Sequence, residues 1–352
     1  MKRRTPEVKI QNTNTASPPY HLFMWLAADV GGTKTLVGVF RPGVDRPQSA
    51  IVREYATLDF DDLDNLIQVF LDETGTRAVD AACFGVAGPV NGLVARLTNV
   101  PWLADGHPVA ERLGGCPVAL VNDLEAMAHA VPVLEPDELA VLQEGVAVPT
   151  GNAALIAAGT GLGEALLHNV DDRFIPSASE GGHADFAART PRELALVQDL
   201  LRIHGRVDNE RVISGPGLVN LFGFTHGSAD ASDACEQVAP TLELPDLPAA
   251  ITSSALERRC ARCVEALDMF VEAYGAEAGN LALRAVATAG VYVGGGIAPK
   301  ILPALERGAF LEAFHDKEPM TDLLRMLPVS VIINPAAGLL GAAVRASQLE
   351  AE

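Results

Sequence analysis

The sequence predicts an α/β protein built from two similar halves. Short Val/Ala/Leu/Ile runs bounded by Gly, Pro or Asn alternate with amphipathic stretches of helical period. Residues 26–40, LAADVGGTKTLVGVF, read as two apolar strands around Gly31-Gly32-Thr33-Lys34. Residues 154–168, ALIAAGTGLGEALLH, repeat that plan of strand, glycine-threonine hairpin and strand. Two such loops facing each other across a cleft could hold one polyphosphate between them.

Strands are expected at 25–30, 35–40, 81–86, 117–121, 153–158, 163–168, 290–294 and 329–333. Leu63, Leu66, Ile67, Phe70 and Leu71 form an i, i+3, i+4, i+7, i+8 stripe and predict a helix. Thr190-Pro191-Arg192-Glu193 has capping-box spacing with proline at the first helical position, and that helix should end near His204-Gly205. A third glycine cluster, Gly294-Gly295-Gly296, lies between a strand and a helix expected to begin at Pro299. The first twenty residues carry Lys2, Arg3 and Arg4 and then a run rich in Thr, Asn and Pro, the composition of a disordered arm, taken to span 1–24. A signal peptide cleaved near Ala28 would remove the strand from which the glycine hairpin hangs, so the arm is the preferred reading.

The 352 residues are 49% hydrophobic and 20% charged, enough for two domains around a cleft. No apolar run is long enough to span a bilayer. A net charge of −19 repels phosphate backbones and acidic lipid surfaces, which argues against nucleic acid and membrane as partners. The five cysteines, at 83, 116, 235, 260 and 263, are odd in number and scattered, which argues against a disulfide framework and for a reducing cytoplasm. Cys260-x-x-Cys263 could be half a zinc site or a redox pair. The positions from Cys260 to Tyr274 repeat at helical spacing, however, and read as two thiols on the core face of a long helix.

Glycines let backbone approach a ligand closely, while hydroxyls and freed N–H groups donate to phosphate oxygens, so the paired loops suggest phosphate binding; a plain tight hairpin would use the same glycines. No Walker string Gly-x-x-x-x-Gly-Lys-Ser/Thr occurs, and neither Gly159-Thr160-Gly161-Leu162-Gly163 nor the 294–299 cluster keeps the dinucleotide-binding spacing. Asn122-Asp123 follows an apolar strand, where ligands of α/β proteins bind, although Asp123 could serve only to start a helix. Glu180-Gly181-Gly182-His183 reads as a loop presenting one acceptor and one imidazole, because two glycines disfavour the helical geometry a metal motif needs. Glu210 is weak by itself, since a surface pair with Arg211 would explain it. One amide, three carboxylates and a histidine suit a small neutral ligand rich in hydroxyl groups, such as a sugar.

AADVGGTKT, FGVAGPVNG, TNVPW, LVNDLEAMAHA, GTGLGEALL, SEGGHADFA, ERVISGPGLVNLF and VYVGGGIAPKIL occur in that order. In these strings the chain resembles the bacterial ATP-dependent glucokinases of the actin-like, hexokinase-type superfamily, over about residues 25 to 346. The resemblance implies a two-domain actin-like ATPase (ribonuclease H-like) fold, with a small domain of residues 25–133 plus 335–350, a large domain of 134–334, and glucose in the cleft. It implies Asp123 as catalytic base, which would also touch the sugar, and Asn99, Asn122, Glu180, His183 and Glu210 as sugar ligands. Gly31, Gly32, Thr33, Lys34, Gly159, Thr160, Gly161 and Gly295 would form the nucleotide-binding loops, and Asp29 would hold Mg²⁺ through water. A homodimer is implied by family habit. Related sugar kinases of the ROK family carry a cysteine cluster shortly after their Glu-Gly-Gly-His string; here no cysteine follows His183 before Cys235, so no structural zinc is expected.

The reaction expected is transfer of the γ-phosphoryl group of MgATP to the 6-hydroxyl of glucose. Another hexose or an N-acetylhexosamine could replace glucose on the same fold, and ADP or polyphosphate could replace ATP. A sugar-sensing regulator would need a DNA-reading helix-turn-helix, for which the segment before Leu26 is too short and lacks an apolar stripe. A non-sugar ATPase of the actin type would hydrolyse ATP whether or not glucose is present.

Overall fold

The computed structural model describes residues 23–97, 100–227, 235, 238 and 247–349. The arm, apart from its last two residues, and Asn99 therefore lie outside the described residues. In chain order the first part holds strands Trp25–Val30 (β1), Lys34–Arg41 (β2) and Gln48–Ala56 (β3), helix Leu63–Thr74 (α1), and strands Ala81–Val86 (β4), Val90–Asn91 (β5), Val94–Arg96 (β6) and Leu103–Asp105 (β7). Helix Gly106–Arg112 (α2), strand Val118–Asn122 (β8) and helix Asp123–Ala130 (α3) follow. Strands Leu139–Gln143 (β9), Ala153–Ala158 (β10), Leu162–Val170 (β11) and Arg173–Ser179 (β12) come next. After them stand helices Pro191–His204 (α4), Gly215–His226 (α5), Leu247–Leu256 (α6) and Ala261–Ala285 (α7). The last part comprises strand Gly290–Gly294 (β13), helices Leu302–Leu305 (α8), Ala309–His315 (α9) and Thr321–Met326 (α10), strand Val329–Ile332 (β14) and helix Ala337–Leu349 (α11).

The internal echo is a duplicated sheet. The first has the order β3-β2-β1-β4-β8 and the second β12-β11-β10-β13-β14-β9. In each, an antiparallel hairpin (β1 with β2, β10 with β11) is extended on one side by an antiparallel strand and on the other by two parallel ones. All eight expected strands form, within a residue or two of their expected ends. The capping box at Thr190 also forms: Thr190 Oγ1 accepts from the Glu193 N–H while the Glu193 carboxylate accepts from the Thr190 N–H. The helix expected to begin at Pro299 does not: residues Ala298–Ile301 make a 3-10 turn, and the α-helix that follows starts at Leu302 and lasts one turn. Pro299 and Pro303 remove backbone donors there, which keeps regular helix short.

Two helices fill the space between the sheets. Leu339, Ala342, Ala343 and Ala346 of α11 pack on Trp25, Ala27, Ala81 and Cys83 of the first sheet. Leu340 of α11 and Leu124 and Ala128 of α3 pack instead with Leu155, Ala165 and Leu167 of the second. Alternate faces of small residues let each helix serve both layers. Contact is closest at Gly341, where a Cβ would stand 1.7 Å from the Ala126 carbonyl oxygen.

Strand register sets the position of the acids. Val30 pairs with Val86, and Val86 with Asn122, so β1, β4 and β8 end in line at their carboxyl ends. Asp29 lies one residue before that edge and Asp123 one residue beyond it, at the start of α3. Gly85 allows α3 to approach, since a Cβ there would sit 2.8 Å from Ala126 Cβ.

Candidate active site

Asn122 caps α3: its Oδ1 accepts from the Leu124 N–H at 2.9 Å, and its Nδ2 donates to the Gly88 carbonyl at 3.3 Å. The Leu124 N–H also donates to Asp123 Oδ1 at 2.9 Å. The helix-start reading of this pair is met with Asn122 as the cap, which orients Asp123 at the first helical position without neutralising it. Burial raises the Asp123 pKa; hydrogen bonds from the Leu124 and Asp123 N–H groups and from Asn122 oppose this, and the nearby charge of Glu180 adds to it. Asp123 and Glu180 are therefore near enough to interact electrostatically although they follow strands of different sheets.

Asp29 is more strongly perturbed, its pKa raised to about 6 by burial and then by the Asp123 charge, with only Lys34 acting in the opposite sense. Asp29 and Asp123 are partly buried acids with little opposing charge nearby, a pair that a divalent cation fits. Gly338 on α11 makes room for the Asp29 carboxylate, since a Cβ there would lie 2.6 Å from Asp29 Oδ2. Lys34 itself turns outward and pairs with Glu54 on β3, Nζ to Oε2 3.0 Å, both side chains being well exposed.

Thr57, in a 3-10 turn after β3, holds the first glycine loop: its Oγ1 donates to the Gly31 carbonyl at 2.8 Å and its N–H to the Thr33 carbonyl at 3.0 Å. Thr33 stays exposed at the tip, and Gly31 and Gly32 are partly exposed beside it. In the second loop the Gly159 N–H donates to the Gly161 carbonyl, and the Gly159 carbonyl accepts from the Gly215 N–H at the start of α5, each at 2.8 Å. Thr160 is exposed at the turn. The Ile297 N–H donates to the Ala158 carbonyl at 3.2 Å, which joins the third glycine cluster to this loop. Gly295 has φ +84°, and a Cβ would meet Ala158 backbone at 2.4 Å, so only glycine fits there. Beneath the junction the buried Tyr274 hydroxyl of α7 accepts from the Ala158 N–H at 3.1 Å and lies 3.3 Å from the Ile156 and Gly294 carbonyls.

Gly159 differs, because a Cβ there would meet nothing within 4 Å. Its smallness is not required by the fold. Gly159→Ala is expected to change stability by no more than about 0.5 kcal/mol while raising the KM for nucleotide. Urea unfolding and initial rates at varied ATP check this, and an unchanged KM would remove Gly159 from the nucleotide site.

Glu210 is drawn in from an isolated surface position. Its Oε2 accepts from the Leu162 N–H at 2.9 Å, and its own N–H donates to the Gly182 carbonyl at 2.9 Å. The expected alternative, a pair with Arg211, does not form: Arg211 turns to Asp208, 3.9 Å away. His183 lies between two acids, Nε2 3.9 Å from Glu180 Oε2 and Nδ1 3.8 Å from Asp208 Oδ2. Glu180 and His183 are both open to solvent, whereas Asp208 is nearly buried and accepts from the Arg211 N–H.

Asp208, Thr57 and Tyr274 are the site residues that the sequence reading missed. Asp208 had one usable signal, an acid two residues before Glu210 in Asp208-Asn209-Glu210; Thr57 and Tyr274 had none, because their partners are backbone groups distant in sequence.

Below the Glu180 loop, Arg284 pairs with Glu164 at 3.1 Å and with Glu277. Burial, followed by the Glu277 charge, lifts Glu164 to about 8 against the pull of Arg284. The folded state thus holds this proton more tightly than the unfolded chain, so the stability linked to it is full below the ordinary glutamic acid range and is lost as pH rises towards 8. Glu164→Gln should flatten the fall in stability across that window in denaturant melts at stepped pH; an unchanged slope would place the titration elsewhere.

A family model described as Glucokinase matches residues 26–349. A glucokinase of Synechocystis sp. is 37% identical over 347 residues, covering 92% of this chain and 98% of its own length. One of Nostoc punctiforme is 39% identical, with 92% and 99% covered. Among solved structures, glucokinase from an Antarctic psychrotroph aligns with TM-score 0.81 at 27% identity, covering 92% of this chain and 99% of that one. A ROK family glucokinase from Streptomyces griseus, solved in complex with glucose and AMPPNP, shares the fold with TM-score 0.60 at 21% identity, over 93% and 99%. With the duplicated sheets and the acids at their strand ends already in view, a match over nearly the whole chain leaves one assignment: this protein belongs to the glucokinase family and has its actin-like ATPase fold.

Proposed function

We propose that the chain transfers the γ-phosphoryl group of MgATP to the 6-hydroxyl of glucose, giving glucose 6-phosphate and ADP. The observation that carries this reading is Asp123: a partly buried carboxylate, oriented by the α3 cap, that interacts electrostatically with both Glu180 and Asp29. It stands at the same edge of the first sheet as the Gly31-Gly32 loop. Phosphoryl transfer asks little covalent help of a protein, so alignment supplies much of the rate, on the order of 7–11 kcal/mol. Asp123 accepts the alcohol proton, and its raised pKa makes it a stronger base than an exposed aspartate.

Asn122, Glu180, His183 and Glu210 take the sugar hydroxyls, together with Asn99. Gly31, Gly32, Thr33, Gly159, Thr160, Gly161 and Gly295 line the phosphates; Lys34, engaged with Glu54, contributes charge at longer range. Asp29 would hold Mg²⁺, which would supply positive charge to offset that of the phosphates. Residues 25–133 with 335–350 form the small lobe and 134–334 the large one, and closure between them excludes water. Among the described residues no helix is long and apolar enough to cross a membrane; the reading includes a cytoplasmic location. The reading also includes a homodimer, to be checked by light scattering.

The test is ADP release by the purified protein with ATP and Mg²⁺, with and without glucose, extended to other hexoses, an N-acetylhexosamine, ADP and polyphosphate. Glucose-dependent ADP release is expected. Equal ADP release without sugar would make the protein an ATPase, and a preference for another sugar or donor would revise the substrate.

A further inference from the structure

We propose that His226, Cys235, Cys260 and Cys263 form a structural zinc site, separate from the catalytic crevice and independent of the sugar-kinase reading. The expectation of no zinc rested on the spacing of cysteines after His183. The fold gathers a different set: a histidine from the last turn of α5, a cysteine from the segment after it, and two cysteines at the start of α7. Their four ligand atoms lie within 4.8 Å of one another. A tetrahedral zinc with sulfur at 2.3 Å would set its ligands about 3.7 Å apart, so a small inward movement closes the shell.

Geometry around each ligand favours metal over simple packing. His226 Nδ1 is 2.9 Å from the Phe222 carbonyl and 3.2 Å from Thr225 Oγ1; donation to the carbonyl fixes the tautomer and leaves the Nε2 lone pair free. Nε2 points at Cys260 Sγ, 3.5 Å away. An imidazole held through one nitrogen by a carbonyl and offering the other is the usual arrangement of a metal-bound histidine. Phe222 stacks on the ring, centroids 4.0 Å apart, and fixes its plane. Cys260 is the N-cap of α7, so its sulfur stands at the end of the helix where the first N–H groups are exposed, donors that would suit a bound thiolate.

Cys235, Cys263 and His226 are buried and Cys260 partly so, which leaves no open coordination position for a substrate. Three thiolates and one imidazole in a closed tetrahedral shell select zinc over magnesium or calcium. The two Cys260-x-x-Cys263 readings from sequence therefore coexist: the thiols stand on the inner face of the helix, and they supply half of a metal shell. The site would clamp the end of α5 to the start of α7. The other end of α5 meets Gly159, and Tyr274 of α7 supports Ala158, so the clamp braces the two helices that carry the second glycine loop.

Metal analysis of the full chain, purified under reducing conditions with zinc supplied and then dialysed, is expected to give about one zinc per chain. The Cys260→Ser/Cys263→Ser variant should lose it and melt at a lower temperature. Should that variant fail to fold, titrating wild-type thiols with a mercurial while a chromophoric chelator reports zinc should release the metal in step with the thiols modified. Cobalt substitution should give the intense visible bands of tetrahedral cobalt thiolate, which an oxygen site at Asp29 could not produce. No retained zinc, iron in its place, zinc retained by the double variant, or a Cys260–Cys263 disulfide in the mass spectrum would each overturn the assignment.

Discussion

Asp123→Ala is expected to lower kcat by about 10²–10⁴-fold, the worth of a well-placed general base, while glucose still binds. The sugar is gripped chiefly by other groups, so the loss should fall on turnover and not on affinity. Burial already disfavours the Asp123 charge, so removing the carboxylate should not destabilise the fold. Asp123→Asn keeps the volume and the bond from the Leu124 N–H while losing the proton acceptor, and should match alanine in rate. Steady-state rates with coupled ADP detection, beside calorimetric titration with glucose, separate the two effects. Near-normal turnover in either variant would remove Asp123 from the chemistry, and lost glucose binding with intact stability would recast it as a substrate ligand alone.

Gly341→Val should give the largest loss of stability, about 3 kcal/mol or more. A Cβ at this position would stand 1.7 Å from the Ala126 carbonyl oxygen and 2.9 Å from the Ala130 nitrogen. Both obstacles are main chain of α3 and neither can rotate away, so the helices must part. Because α3 begins with Asp123, activity should fall with the packing even though Gly341 is not among the candidate site residues. Urea unfolding measures the first effect and kcat the second; a variant as stable as wild type would show that the contact between the two helices is looser than described.

Burial decided which parts of this fold could be read in advance. Strands β1, β4, β10 and β13 are short apolar runs enclosed on both faces, and their ends were read almost to the residue. Strand β3, Gln48–Ala56, is a sheet edge with mostly exposed side chains, so it lacks the apolar alternation that marks a strand. The β12 edge was missed for a related reason: its hairpin turns at Asp171 and Asp172, both at positive φ, without the glycine that would have marked the turn.

The candidate site divides in a similar way. Asn122-Asp123 and the glycine loops are contiguous, and their chemistry is visible as a string. Asp208 beside His183, Thr57 beneath Gly31 and Tyr274 beneath Ala158 act through partners far along the chain, and nothing in a linear pattern marks such pairs. The metal ligands are harder still, since His226, Cys235 and the two α7 cysteines become neighbours only when α5 and α7 pack together.

Helix α11 covers a face of the first sheet whose strands β1 and β4 lie near the opposite end of the chain. On a ribosome, Trp25, Ala27, Ala81 and Cys83 emerge long before Leu339 and Ala342 exist to shield them. The nascent amino-terminal lobe must therefore carry a bare greasy surface through most of translation, and a premature stop ahead of Ala337 would leave it so, an invitation to chaperones and to clumping.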